Sequence, residues 1–324
     1  MTLKQLSNAV KFSVIASSLA LSMTVSAAGT GRIFVTNEKD DTVSVINGAT
    51  NEVEATISVG ERPRGIGISP DGSEVYIALS NEDAIGVLDP DSLELTRKFS
   101  GGEDPEAFAV HPNGNISISN EDDAKATVIN PSNGEVIAEI KVGLEPEGVA
   151  VSPNGEKVIV TSESTNMLHV IDVPAHTISA NILVGARPRA ATFNQAGNIA
   201  YATSEISGEV KKVDIAGGKI IGKQALGNDK AKPKDVLLSI DEKRLYVAGG
   251  RANSIFVMDA ETLEILADIP VGKRTWGLAL TKDGKMLYTT DGVSNQVSVI
   301  DTTKNKVVKT IPVGKFPWGV VIDD

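Results

Sequence analysis

A short strand rich in β-branched residues recurs seven times along this chain, and self-similarity at a fixed period is the mark of a repeat architecture. It reads Ile33-Phe34-Val35-Thr36-Asn37, Val75-Tyr76-Ile77-Ala78-Leu79, Ile116-Ser117-Ile118-Ser119-Asn120 and Val158-Ile159-Val160-Thr161-Ser162. It continues as Ile199-Ala200-Tyr201-Ala202-Thr203, Leu245-Tyr246-Val247-Ala248-Gly249 and Leu287-Tyr288-Thr289-Thr290-Asp291. The strand after it ends in Asp or Asn, at Asn47, Asp89, Asn130, Asp172, Asp214, Asp259 and Asp301. A glycine closes the next, at Gly60, Gly102, Gly143, Gly185, Gly227, Gly272 and Gly314. Both series share one period of about 42 residues, stretched once by about three residues between Gly227 and Pro233.

Each unit also carries a turn of the type Pro63-Arg64-Gly65 followed by an apolar strand. Tight turns such as Ser69-Pro70-Asp71-Gly72 and Ser152-Pro153-Asn154-Gly155 then lead back to the recurring strand; glycine accepts the positive φ such turns need. Four strands per unit with no helical period describe a propeller blade, so the fold expected is an all-β, seven-bladed β-propeller of four-stranded antiparallel blades. The chain ends fit a closed ring. Residues 32–59 supply only three strands of the first blade, and Phe316-Pro317-Trp318-Gly319-Val320-Val321-Ile322 is an innermost strand with nothing after it. Joining the two leaves no inner edge unpaired.

The strand Ile33-Phe34-Val35-Thr36-Asn37 and the Val-Gly-x-x-Pro-x-Gly turns resemble the YVTN family of seven-bladed propellers across residues 31–324. The opening Gly31-Arg32-Ile33-Phe34-Val35-Thr36-Asn37-Glu38-Lys39-Asp40 and the turn Gly60-Glu61-Arg62-Pro63-Arg64-Gly65 are similar to an exported subgroup associated with pyrroloquinoline-quinone (PQQ)-dependent alcohol oxidation. That resemblance implies a place beside such a pathway and names no reaction. Propellers of this kind serve as scaffolds, binders and occasionally enzymes.

Residues 1–27 read as a secretory signal peptide. Lys4 and Lys11 precede an apolar run, no Asp or Glu occurs, and Val25-Ser26-Ala27 offers small residues before a cleavage point at Ala28. The competing reading is a membrane anchor, for which the serine-broken run is short. With no cysteine anywhere in the chain, disulfides and a lipoprotein anchor are excluded. The expectation is one propeller domain over residues 28–324, periplasmic, with no membrane span after cleavage, and monomeric because a closed ring buries its own edges. The whole chain carries a net charge of −11. Loss of Lys4 and Lys11 makes the balance more acidic still, which opposes nucleic-acid binding.

In a propeller the loops leading into the innermost strands gather at one mouth of the central channel. One position around that mouth reads Arg64, Glu106, Glu147, Arg189, Lys234, Trp276 and Trp318, from blade two through seven and back to one. The position two residues earlier reads Arg62, Asp104, Glu145, Arg187, Lys232, Arg274 and Phe316. The expected mouth has an acidic side, a basic side and an aromatic corner. The cations suit a carboxylate or phosphate, and the tryptophans suit a planar ligand. The competing reading is that opposite charges pair at the surface, each pair worth under about 1 kcal/mol, while the tryptophans fill gaps between blades.

Other chemistry is thinly represented. His111, His169 and His176 fall in different parts of the blade and do not converge on a zinc centre or a triad. No Gly-x-Ser-x-Gly elbow or phosphate-binding Gly-Lys-Ser/Thr loop is present. Acidic links such as Asn37-Glu38-Lys39-Asp40-Asp41, Asn120-Glu121-Asp122-Asp123 and Ser162-Glu163-Ser164 open on the mouth but match no helix-loop-helix calcium site. The sequence requires no cofactor and no metal. The function expected is an exported binding or scaffold propeller that offers its charged face to a periplasmic protein or a small anionic ligand. The alternative is a propeller hydrolase or lactonase with a metal at the channel mouth.

Overall fold

Strands that are apolar on both faces must be covered on both sides, and sheets stacked around an axis do this. In a computed structural model that describes residues 29–324, the chain forms seven four-stranded antiparallel sheets. Blade two shows the pattern: Pro63–Ile68 innermost, then Val75–Leu79, Ala84–Leu88 and Leu95–Ser100 outermost. The stretch read as a signal peptide lies outside the described residues. Among those described, no helix is long and apolar enough to cross a membrane.

The ring closes as expected. Pro317–Asp323 pairs antiparallel with Arg32–Asn37, setting Ile33 opposite Ile322 and Val35 opposite Val320. Thr30 reinforces the seam by donating its backbone N–H and its hydroxyl to Asp323 Oδ2, at 2.7 and 2.6 Å.

The period of two along each recurring strand decides the core. Ile33 and Val35 point into a cluster shared with Tyr288, Val297 and Val299 of blade seven. Phe34, between them, points the other way, against Val75, Ile77 and Leu79 of blade two. In blade two the alternation repeats, with Tyr76 and Ala78 facing Phe108, Ile116 and Ile118 of blade three. Each blade junction thus has its own apolar cluster. Each buried Val, Ile or Leu in them contributes on the order of 1.5–3 kcal/mol. The outermost strands are the most exposed, and Leu95–Ser100 alternates half-buried and exposed residues.

Hydroxyl groups then lock neighbouring blades at the channel wall. Thr36 Oγ1 accepts from Gly319 N–H at 2.9 Å and donates to the carbonyl of Arg64 in the next blade at 2.7 Å. Thr161 repeats this between Gly148 N–H and Arg189 O, and Thr290 between Gly277 N–H and Trp318 O. The tether holds the backbone at the very residues that form the mouth.

Blade six departs from the pattern. Its innermost strand is only Val236–Leu238, whereas the others begin at the residue of the Pro turn or its equivalent. The three extra residues that precede Pro233 account for this. Ala248 also lacks the tethering hydroxyl, as Ala78 does in blade two, whose inner strand is of full length. Asp235 carries the junction instead: it accepts Val236 N–H at 2.8 Å and, across to blade seven, Leu278 N–H at 3.0 Å.

Candidate functional site at the channel mouth

The outer ring of the mouth is built on an unusual backbone. Arg62, Asp104, Glu145, Arg187, Arg274 and Phe316 all adopt the left-handed conformation, with φ between 39° and 59°. A side chain there costs about 1–2 kcal/mol, and the preceding blade supplies the restraint. Asp41, Asp83, Asn166, Asn253 and Asn295 each accept the N–H of the ring residue 21 positions later, at 2.9–3.0 Å. Ala124 and Gly208 stand at the corresponding positions before Glu145 and Lys232, and Lys232 is the ring member that is not left-handed.

The inner ring is buried. Glu106 is fully enclosed, and Glu147, Arg189, Lys234 and Trp276 are each at least nine-tenths buried. Their charges are neutralised through a third ring, formed where the recurring strands end, which carries Glu38, Glu121, Glu163 and Glu205. On one side Arg62 bridges Asp104 at 2.9 Å and Glu106 at 3.3 Å, while Arg64 pairs with Glu38 at 3.2 Å and with Glu106. On the other, Arg189 pairs with Glu147 and Glu163 and lies 3.7 Å from Glu205. Arg187 binds the same Glu163 at 2.5 Å. Desolvation, which makes isolated buried charges expensive, is offset here by two partners for Glu106 and three carboxylates around Arg189. Glu121 lies beside these pairs; burial, then the charges of Glu147 and Asp104, push its carboxyl above the usual range against the pull of Arg64 and Arg62.

Blades six and seven are built differently. Where blades one, three, four and five have glutamate in the third ring they have Gly250 and Gly292, each opening a 3₁₀ turn, as Ser80 does in blade two. A Cβ at position 292 would sit 3.3 Å from Trp276 Nε1, so the glycine makes room for the indole. Trp276 is ringed by cations: Lys234 Nζ lies 4.0 Å from its ring centre, and the guanidinium carbons of Arg274 and Arg189 lie at 5.2 and 5.9 Å. Trp318 meets Trp276 at 5.9 Å, tilted by 49°. Lys234 has one carboxylate near it, Glu205 at 3.9 Å. Among the described residues Arg274 and Lys232 form no ion pair.

Inside these rings the channel holds a cavity of about 220 Å³. Glu147, Arg189, Lys234, Trp276 and Trp318 form its upper wall, and Ile66, Phe108, Val149, Leu278 and Val320 its lower one. Between them runs a ring of small residues, Gly65, Ala107, Gly148, Ala190, Gly277 and Gly319, interrupted by Asp235. Asp235 sits at the centre of the molecule beside the channel, and burial pushes its carboxyl up to about 6 against its two backbone hydrogen bonds.

A family model described as YNCE-like beta-propeller matches residues 2–120 and 197–324, most of the chain. The chain belongs to the YNCE-like beta-propellers. The stretch outside the match contains Glu121, Glu145, Glu147, Glu163, Arg187 and Arg189, and it folds as ordinary blades of this YNCE-like ring. Similar solved structures include a protein of unknown function from Desulfotomaculum acetoxidans DSM 771. That likeness has a TM-score of 0.79 and 16% identity, covering 90% of this chain and 98% of that one. Hydrazine synthase from Kuenenia stuttgartiensis is similar with a TM-score of 0.72 and 21% identity, covering 79% of this chain and 88% of that one. At such identities the likeness is one of fold. No curated protein sequence matches the chain significantly.

Within this YNCE-like mouth the structure brings together Arg62, Arg64, Asp104 and Glu106 in one cluster and Arg187, Arg189 and Glu147 in another. Lys234, Arg274, Trp276 and Trp318 form the third group. Glu145 is exposed and accepts the Ser164 hydroxyl; Lys232 reaches only the carbonyl of Ile206, at 3.4 Å. Three carboxylates, Asp104, Glu106 and Glu121, come within 4.8 Å of one another, with Arg62 bound to the first two. Sequence reasoning missed the partner role of Glu38, Glu163 and Glu205 and did not single out Asp235. The signals were present: a glutamate after four of the seven recurring strands, and one Asp in a series of Gly and Ala. His111 bonds Ser117 at 2.8 Å, and His169 lies between Asn181 and Gly143, apart from the mouth.

Proposed function

We propose that this chain is an exported binding and scaffold propeller, accessory to a PQQ-dependent alcohol oxidation system, that engages a periplasmic protein or a small anionic ligand at its channel mouth. One observation carries the binding part of the reading. Lys234 and Arg274 lie against Trp276, with Lys232 two residues before Lys234, on the two blades where glycine stands in place of the glutamate that would balance them. Cations beside aromatic faces with few carboxylates near them favour anions, and the ion pairs of the other blades hold the frame rigid, so little ordering is left to accompany binding. The exported location rests on the composition of residues 1–27, and the pathway on the resemblance of the first blade.

A pull-down from periplasm of alcohol-grown cells, with wild-type and Lys232→Ala/Arg274→Ala baits, tests it. The reading expects wild type to capture a component of the oxidation system and the double variant to lose it. Capture of no such component, together with ordinary growth of a deletion strain on alcohols, overturns it. A hydrolase using the carboxylates Asp104, Glu106 and Glu121 would have to displace Arg62 from that cluster. Metal analysis of the purified protein separates that alternative.

A further inference from the structure

The cavity behind the tryptophan corner joins two environments that no single polar or apolar ligand would satisfy. Its upper wall has Lys234, buried against the face of Trp276, with Arg274 on the rim above. Its lower wall is apolar, formed by Ile66, Phe108, Val149, Leu278 and Val320. Trp318, beside Trp276 in the upper wall, is half-buried, with no cation over its ring among the described residues. The carboxylates that border the cavity are engaged elsewhere: Glu147 with Arg189, and both oxygens of Asp235 with backbone N–H groups. At about 220 Å³ the space is smaller than the ~300–1,000 Å³ typical of drug-sized ligands.

We propose that this cavity is a binding site for a small monocarboxylate with a single apolar ring, its carboxylate on Lys234 and its ring against Trp318 and the apolar wall. The inference rests on the reading of the mouth as a binding face and narrows it to one chemical class. The cation supplies the charge-assisted hydrogen bond that selects an anion over an amide or amine. The indole face and the aliphatic ring below accept the body, in the usual division of a concave site into an apolar lining and few polar anchors.

The chain has two tryptophans, and both line the cavity, so tryptophan fluorescence, excited selectively over tyrosine, reports on this site alone. Purified protein would be titrated with phenylacetate, phenylacetamide, phenylethylamine and acetate. Phenylacetate should change the fluorescence saturably, with the other three needing at least tenfold higher concentration. Lys234→Met should weaken phenylacetate at least tenfold while the melting temperature holds. If that variant is destabilised, Arg274→Gln on the open rim takes its place and should weaken binding severalfold. Equal affinity for acid and amide, or no response to phenylacetate by folded protein, overturns the proposal. If phenylacetate is silent while the Lys232→Ala/Arg274→Ala bait still loses a captured protein, the mouth binds a protein and the small-acid inference alone falls. Silence in both assays removes both readings.

Discussion

Blades two to five and blades six and seven build the same mouth from the same backbone with opposite electrostatics. In the former, each inner-ring charge has a carboxylate or guanidinium partner, and the third ring supplies Glu121, Glu163 and Glu205 in addition to Glu38 of blade one. In the latter, glycines stand in the third ring, and the cations rest on an indole instead of on acids. The difference teaches that a charged residue at one repeat position has no fixed role. Glu106 and Lys234 are equivalent in the blade, yet the first is sealed inside a closed network while the second borders an open cavity.

The sharpest way to break that contrast is to remove Glu106. Its loss leaves Arg62 and Arg64 short of a buried partner, and Glu106→Ala should lower unfolding free energy by roughly 3–5 kcal/mol in a urea titration. A change below about 1 kcal/mol would show the network to be a loose surface array.

Asp291 allows a second comparison at a single repeat position. It occupies in blade seven the place of Asn37 and Asn120 in blades one and three, fully buried, and accepts from Ser298 at 2.6 Å, Gln296 at 3.1 Å and Gly272 N–H at 3.0 Å. Burial pushes its carboxyl up to about 6 despite these donors. With the folded pKa above the unfolded one, the group favours folding while protonated and opposes it once ionised, and the penalty grows between about pH 4 and pH 6 and then levels. Asp291→Asn should therefore be more stable than wild type above pH 6, by on the order of 1–3 kcal/mol, with the gap closing toward pH 4. Thermal unfolding across that range measures it, and a gap that widens on acidification would reverse the assignment.

Thr290→Val removes a hydroxyl that ties blade seven to blade one, and should cost about 1–2 kcal/mol in the same titration. No loss would mean that the strand seam holds the mouth without the tether. The smallest effect is expected on the open side. Arg274→Gln should change stability by less than about 0.5 kcal/mol, while altering the tryptophan emission because the cation lies over Trp276. A large loss there would put Arg274 in the framework and remove the distinction between the two halves.

Much of this was legible in the chain. The repeat of Ile33-Phe34-Val35-Thr36-Asn37 and its six copies sets a two-residue period, and that period alone places Phe34 and Val35 in different junctions. The composition of the mouth rings was readable for the same reason, since equal phase in a closed repeat means equal position. Their pairing was not. Arg189 reaches Glu147 in the preceding blade and also Glu163 and Glu205, and a phase series does not state how far a side chain reaches or which of several acids it chooses. Asp235 escaped notice because its role lies in accepting the Leu278 N–H of the next blade, a partner that exists only once the neighbouring backbone is in place.

The amino-acid sequence by itself determined a closed ring of seven sheets, its seam and the identity of the residues around its mouth, because strand periodicity and turn chemistry are local properties that repetition multiplies. The tertiary structure alone decided which charges are spent on one another, which remain beside the tryptophans, and that a cavity lies behind them. Those outcomes depend on distances and burial between different blades, where small shifts in side-chain reach change a buried ion pair into an open cation.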